Sequence, residues 1–392
     1  MKVLVITPGF CPTTKQQGGA IEKLLDSYLN YNEGKKDEIV VYSPKISSEK
    51  YDRDIYNSTK FRIIDKTKIG FTIVKVIRKI FNKLFKRENA NAYIYYVVRD
   101  ILNRKEQNKY DFIVFENGVE YINYFSKKTK TNSKIVIHLH NDYLNIDTTY
   151  GKKILDNCYQ VWAVSKYIKS RVEEIDKETD KVKVLPNGFE ENVFNKPFSD
   201  EQRKNLRKRL NIGDDFVFLY TGRLIPAKGV KELILAFNNI SSKRNGLKLL
   251  IVGGNTSYKN SGAFYNELQH IANQNVCFTG YIPVNDLYKY YSISNAQIVP
   301  TLCNEAFGLI LLEGMYFKLP IIATNSGAMP EICGDSALYV NRENVVSELE
   351  EKMLYVFDNK DIMKNNIKNY DKILADYTME SYCKTFYELL HK

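Results

Sequence analysis

The chain has 392 residues, 44% of them apolar and 26% charged. That is enough for two domains with cores of their own, and too apolar for extended disorder. Its six cysteines stand singly, without a Cys-x-x-Cys pair and beside only four histidines, which argues against a disulfide framework or a zinc site and for a reducing, cytosolic setting. The formal charge of +11 is uneven: residues 1–196 carry 35 Lys and Arg against 25 Asp and Glu, and residues 197–392 carry 22 against 21. An anionic partner is therefore expected on the first half: a membrane surface, a nucleic acid or a phosphorylated substrate.

In chain order, residues 3–6 form a short apolar run ending at Thr7-Pro8-Gly9. It reads as a first buried strand and is too short for a signal peptide. No apolar stretch approaches the roughly 20 residues that a membrane span needs, so any membrane contact is expected to be peripheral. Gln16-Gln17-Gly18-Gly19-Ala20-Ile21 then opens a helix, and residues 39–42 form a second strand. Asp52-Arg53-Asp54 follows no strand, and no metal is expected there.

Residues 66–87 hold eight Lys and Arg and no acid. Ile73, Val74, Ile77, Ile80, Phe81, Leu84 and Phe85 recur at helical spacing, with Lys75, Arg78, Lys79, Asn82, Lys83 and Lys86 on the other side. The pattern predicts a basic amphipathic helix over about 70–87, suited to an anionic membrane interface. Phe81 and Phe85 would enter the lipid and Lys75, Arg78, Lys79, Lys83 and Lys86 would meet the headgroups, each basic residue contributing about 1 kcal/mol. The alternative is a domain helix with a solvated basic face. The same absence of acids suits a lipid-linked pyrophosphate.

Further strands are expected at 112–115, 135–139 and 182–185. His138 and His140 share one face at the end of the 135–139 strand. A second series follows at 216–220, 247–252, 276–278, 297–299 and 320–322, with helical patterns between. Continuously apolar strands alternating with helices predict two Rossmann-like domains with parallel sheets. The expected division is 1–196, 197–375 and a last helix within 376–392, because Asn187-Gly188 and Pro197 punctuate the join.

Two segments of the second half carry the chemistry. Gly222-Arg223-Leu224-Ile225-Pro226-Ala227-Lys228-Gly229 lies between an apolar strand and a helix. Free N–H groups, the helix dipole and two cations there favour an anion; read alone, the segment could equally be a charged surface loop. Glu305-Ala306-Phe307-Gly308-Leu309-Ile310-Leu311-Leu312-Glu313-Gly314 also follows a strand. A carboxylate among Leu and Ile, as at Glu313, needs a partner: a ligand diol or a nearby Lys.

These motifs resemble a family-4 glycosyltransferase, also termed glycosyltransferase group 1, the retaining GT-B group. Glu305 and Glu313 match its Glu-x7-Glu pair, and Gly222, Arg223, Lys228 and Gly229 match its Gly-Arg-x4-Lys-Gly segment. Asn187-Gly188-Phe189-Glu190 ending in Phe194 matches a third motif, with Glu in place of the usual Asp. Val252-Gly253-Gly254-Asn255, 278–282 and 323–331 also fit. The likeness is strong over about 185–335 and weak in the first half.

The resemblance implies a GT-B architecture, with two Rossmann-like domains facing across a deep cleft and the C-terminal helix returning to the N-domain. It implies a nucleotide-sugar donor, most commonly UDP-linked in the family. Arg223 and Lys228 would bind the diphosphate, Glu305 would face the sugar and Glu313 the ribose. Gly308 and Leu309 would offer backbone groups, and Tyr281 and Ile282 would flank the base. Gly222 and Gly253 belong to the donor loops. Gly19 lies in the N-terminal Gly-rich loop, and His140 matches the family's histidine near the donor sugar. Neither a metal nor another cofactor is needed. The acceptor is expected to be a lipid-linked glycan at the cytoplasmic membrane face, in surface polysaccharide synthesis, without nucleic acid as partner. Two other classes fit less well. A sugar-nucleotide epimerase would want more acid–base groups and would act on donor alone. A non-catalytic partner of another transferase would not need all four charged residues.

Overall fold

A computed structural model describes residues 1–13, 19–46, 56–85, 91–254, 261–359 and 367–392. Gln16, Gln17, Gly18, Asp52, Asp54, Lys86 and Asn255 lie outside the described residues, as do the side chains of Phe81, Lys83 and Phe85. The chain divides into two compact units, Met1–Gly188 with Met379–Lys392, and Phe189–Thr378.

The N-terminal unit is built on a seven-stranded parallel sheet of order β3-β2-β1-β4-β5-β6-β7. The strands are β1 (Lys2–Ile6), β2 (Glu38–Lys45), β3 (Thr59–Asp65), β4 (Phe112–Glu116), β5 (Lys134–Leu139), β6 (Gln160–Ala163) and β7 (Val182–Val184). Strands β1, β4 and β5 are buried almost end to end, as expected of a parallel sheet covered on both faces. Strands β3 and β6 were not expected. In β3 the sequence Lys60-Phe61-Arg62 lacks a continuous apolar run because β3 is an edge strand, while β6 is only four residues long.

Helix α1 (Ala20–Asn32) packs against the C-terminal helix Met379–His391. Tyr28 and Phe386 meet with ring centroids 3.9 Å apart, and Phe386 also contacts Trp162 at 5.0 Å. All three side chains are fully buried. This aromatic cluster explains why the last helix belongs to the N-terminal unit.

The C-terminal unit holds a six-stranded parallel sheet of order β10-β9-β8-β11-β12-β13. Its strands are β8 (Phe216–Thr221), β9 (Leu247–Val252), β10 (Val276–Gly280), β11 (Ala296–Val299), β12 (Ile321–Thr324) and β13 (Ala337–Val340), the last unforeseen. Both expected Rossmann-like sheets are present. The join expected at 196/197 is corrected to Gly188/Phe189. Phe189 donates its N–H to the Tyr377 carbonyl at 2.7 Å, and its ring packs on Phe194 and Tyr316 of the C-terminal unit. The second crossing is likewise at Thr378/Met379 rather than 375/376.

Helix α2 (Ile69–Phe85) lies where the basic amphipathic pattern predicts one. Its docked side is not the expected apolar stripe. Phe71 is buried and stacks on Tyr96, while Arg78 lies 4.8 and 5.0 Å from the Tyr95 and Tyr124 ring centroids. Arg78 is thus corrected from a headgroup ligand to a cation–π anchor on the protein. Ile69, Ile73, Val76, Ile77 and Ile80 are instead exposed, alongside Lys75 and Lys79.

Candidate donor site and the histidine cluster

In open parallel sheets the crevice lies beyond the carboxyl ends of the strands, where strand order reverses. In the C-terminal unit that point is between β8 and β11. The loop after β8 carries Gly222 and Arg223, then a single turn Pro226–Lys228, then helix Val230–Ser241. Gly229 joins turn to helix with φ +67, and a Cβ there would meet the Pro300 carbonyl at 1.8 Å. The glycine lets the β8 loop lie directly against the loop after β11. Thr301, Leu302 and Cys303 then donate to the Ala227 carbonyl.

This approach brings Lys228 onto Glu305, and the two are ion-paired, each about one-fifth exposed. Thr301 Oγ1 donates to the same Glu305 oxygen at 3.1 Å. Glu305 Oε1 is thus shared between Lys228 and Thr301. Arg223 is exposed, and no described residue bonds its guanidinium, while its carbonyl accepts from Tyr220 at 2.8 Å. Gly308 has φ +102 and precedes helix Leu309–Tyr316 with no side-chain cap, so the first N–H groups of that helix, including that of Leu309, are free for an anion.

Glu313, one turn further on, is partly buried, and its partner is Tyr291 rather than a Lys: Tyr291 donates to Oε2 at 2.6 Å. Burial pushes the Glu313 carboxyl up to about 7, against the lowering effect of that hydrogen bond. Tyr291 also contacts Thr221 Oγ1 at 2.7 Å, and Gln297 donates to Tyr291 at 3.3 Å. Gly253 lies against the Gly222 carbonyl, and Gly254 against Tyr281. Tyr281 is 67% exposed and Ile282 half-buried beyond β10. The expected donor residues of this unit thus lie on loops and the first turns of a helix beyond the carboxyl ends of β8, β9, β10 and β11.

His140 and Gly19 belong to the N-terminal unit. Gly19 precedes α1 beside Glu22 and Cys11. His140 follows β5 and lines a cavity of about 1200 Å³ whose wall includes Gly19, Glu22, Asn117, Asn123, Tyr143 and Tyr150. Sequence reasoning missed its neighbour Glu116, which ends β4 in register with His138. Glu116 Oε2 lies 2.7 Å from His140 Nε2 and 2.9 Å from His138 Nδ1, with Glu116 and His138 almost fully buried. The visible signal was an acid closing an apolar strand just before Asn117-Gly118. Glu116, His138 and His140 present ligand atoms within 4.8 Å of one another, the grouping among the described residues that could hold a metal ion.

The two parallel Rossmann-like units are a GT-B fold, the architecture of a large class of glycosyltransferases. The Anabaena HepE protein, solved with UDP and glucose, superposes with a TM-score of 0.72 at 18% identity, covering 100% of this chain and 99% of that one. Residues 202–373 match the family described as glycosyl transferases group 1. Bacillus subtilis YtcC, named as a glycosyltransferase, is 28% identical over 256 residues, spanning 62% of this chain and 63% of YtcC. The lipopolysaccharide 1,2-N-acetylglucosaminetransferase of Salmonella typhimurium is 28% identical over 276 residues, 68% of this chain and 67% of that enzyme. The chain thus spans about two thirds of the length of these relatives.

Proposed function

We propose that the protein transfers a sugar from a nucleotide donor to a hydroxyl of a lipid-linked glycan, with retention, in the assembly of a surface polysaccharide. The observation that carries this reading is the pairing of Lys228 with Glu305 next to exposed Arg223 and the uncapped helix start at Gly308. A donor diphosphate would draw Lys228 and Arg223 to itself and release Glu305 to the sugar hydroxyls. Two cations and a helix N-terminus would then stabilise the leaving diphosphate as its charge develops, without a metal ion. Glu313 would hold the ribose, Tyr281 and Ile282 the base, and His140 a sugar hydroxyl. Front-side attack, with the leaving phosphate taking the acceptor proton, fits a site in which Glu305 is held by a cation.

UDP is the proposed nucleotide, supported by the UDP in HepE and by family prevalence. GDP is the competitor, since a GDP-mannose-dependent mannosyltransferase of Mycobacterium tuberculosis is 28% identical over 191 residues. The reading places the protein peripherally on a cytoplasmic membrane face through α2, whose exposed isoleucines and lysines suit an anionic interface. Nucleotide sugars labelled in the sugar should yield a labelled lipid-extractable product when incubated with membranes of the source cell. Lys228→Ala and Glu305→Ala should each lower that rate at least about 100-fold while remaining folded. Label transfer at the wild-type rate by either variant would refute the site, and conversion of donor without acceptor would favour an epimerase.

A further inference from the structure

The cavity of about 1200 Å³ in the N-terminal unit has a wall of two kinds. Phe10, Tyr143 and Tyr150 line it, each with more than half of its surface exposed. Three rings on one cavity give it the apolar surface that ligand sites have. Amides supply the polar part: Asn117, Asn123 and Asn187 also line it, and each is more than nine-tenths buried. Asn117 Oδ1 accepts from the His140 N–H at 2.8 Å, and Asn123 Oδ1 from Asn157 Nδ2 at 2.9 Å. Asn187, only 7% exposed, differs: its Oδ1 has no hydrogen-bond partner among the described residues. A buried amide oxygen left so is costly unless a ligand or a water completes it.

The two tyrosines are fixed by their backbone. Tyr150 has φ +62 and ψ +25, a left-handed conformation that a bulky residue adopts at a cost, and it gains no side-chain cap on the helix that follows. The loop before it is tied down. The Asn145 N–H donates to Thr148 Oγ1 at 2.8 Å, Asn145 Nδ2 to Asp142 Oδ1 at 2.9 Å, and Arg171 pairs with Asp142 at 3.1 Å. Charge on the wall is of one sign. Buried Glu22 and Glu120 line the cavity, and none of its described lining residues is Lys or Arg. Lys66 donates to the Gly9 carbonyl at 2.9 Å and Lys153 lies 5.9 Å from the Tyr150 ring centroid, neither of them part of the wall.

We propose that this cavity is a subsite for an uncharged sugar ring, whose C–H face packs on Tyr150 and Tyr143 while its hydroxyls bond the buried amides, Asn187 among them. An amide both donates and accepts, as a hydroxyl does. A carboxylate or phosphate on the ring would lose its water beside Glu22 and Glu120 without a cation from the wall to pair with. The phosphate of a lipid-linked acceptor therefore stays outside the cavity, and only its sugar end enters. That the ring belongs to the acceptor rests on the transferase reading above; the sugar subsite does not.

Saturation-transfer NMR on the full chain, without nucleotide, reads the subsite directly. The probes are the methyl glycosides of glucose, galactose and mannose, each beside its matching methyl uronide. Saturation should reach the ring C–H protons of at least one hexoside, and its uronide should bind at least roughly tenfold more weakly. Tyr150→Gly keeps the left-handed backbone and removes the ring. It should bind that hexoside at least about tenfold more weakly while its denaturation midpoint holds or rises. Tyr150→Phe should bind it as wild type does. Absence of saturation on every hexoside, equal affinity for hexoside and uronide, or undiminished binding by Tyr150→Gly overturns the proposal. Should Tyr150→Gly fail to fold, Tyr143→Ala decides in the same titration. Hexoside binding lost in Tyr150→Gly, in a protein that transfers no label from any nucleotide sugar, would uphold the subsite and sink the transferase reading alone.

Discussion

Glu313 is a carboxylate whose surroundings oppose its charge. Its carboxyl is raised from 4.5 to about 7 because burial opposes the charge and Tyr291 compensates only in part. The folded state therefore binds this proton more tightly than the unfolded chain does. Its contribution to stability is favourable below about 4.5 and is lost as pH rises through about 7. Glu313→Gln, neutral at every pH, should flatten that segment of the stability curve in denaturant titrations from pH 5 to pH 8. A ribose diol would donate to the ionised form, so nucleotide affinity should fall as pH drops below about 7 in wild type and change little in the Gln variant. Equal pH profiles would contradict the assignment. The loops and helix start that carry the four charged residues proposed for the donor were legible because each segment follows a strand and leads into a helix. Glu116 was not, because its role depends on register: only the pairing of β4 with β5 sets it beside His138.

At the scale of elements, glycines set how closely loops approach and α2 sets what the protein can touch. Gly229→Ala would force a Cβ into the Pro300 carbonyl at positive φ. A cost of about 1–3 kcal/mol from the backbone alone, plus the steric displacement, should appear as a lowered denaturation midpoint and impaired turnover together. For α2, Lys75→Glu with Lys79→Glu and Lys83→Glu should abolish sedimentation with anionic liposomes, and Ile73→Ser with Ile77→Ser should weaken it at every salt concentration. Undiminished sedimentation of both variants would remove the membrane from the account. The helix was readable from composition and period, but which side docks was not. Arg78 carries a charge yet packs on Tyr95 and Tyr124, while Ile73 and Ile77 are apolar yet exposed. Periodicity reports amphipathicity, and tertiary contacts decide which face is used.

For the whole molecule, the alternation of apolar strands and helices was enough to read two parallel sheets. It did not reveal edge strand β3 or four-residue β6 and β13, which lack a long apolar run. The join was misplaced because Pro197 punctuates the sequence, whereas aromatic packing of Phe189 and Phe194 decides the unit they belong to. Because the proposed chemistry uses cations and a helix N-terminus, transfer should persist after dialysis against a chelator; a loss restored by one divalent ion would point instead to Glu116, His138 and His140 as its ligands. The most direct test of the central claim is calorimetric titration of the full chain with UDP and GDP, beside Arg223→Ala and Lys228→Ala. One nucleotide should bind wild type at a single site and bind each variant at least about tenfold more weakly, a loss near 1.4 kcal/mol. Failure of both nucleotides to bind, or equal affinity in the variants, would contradict a donor site built on these side chains.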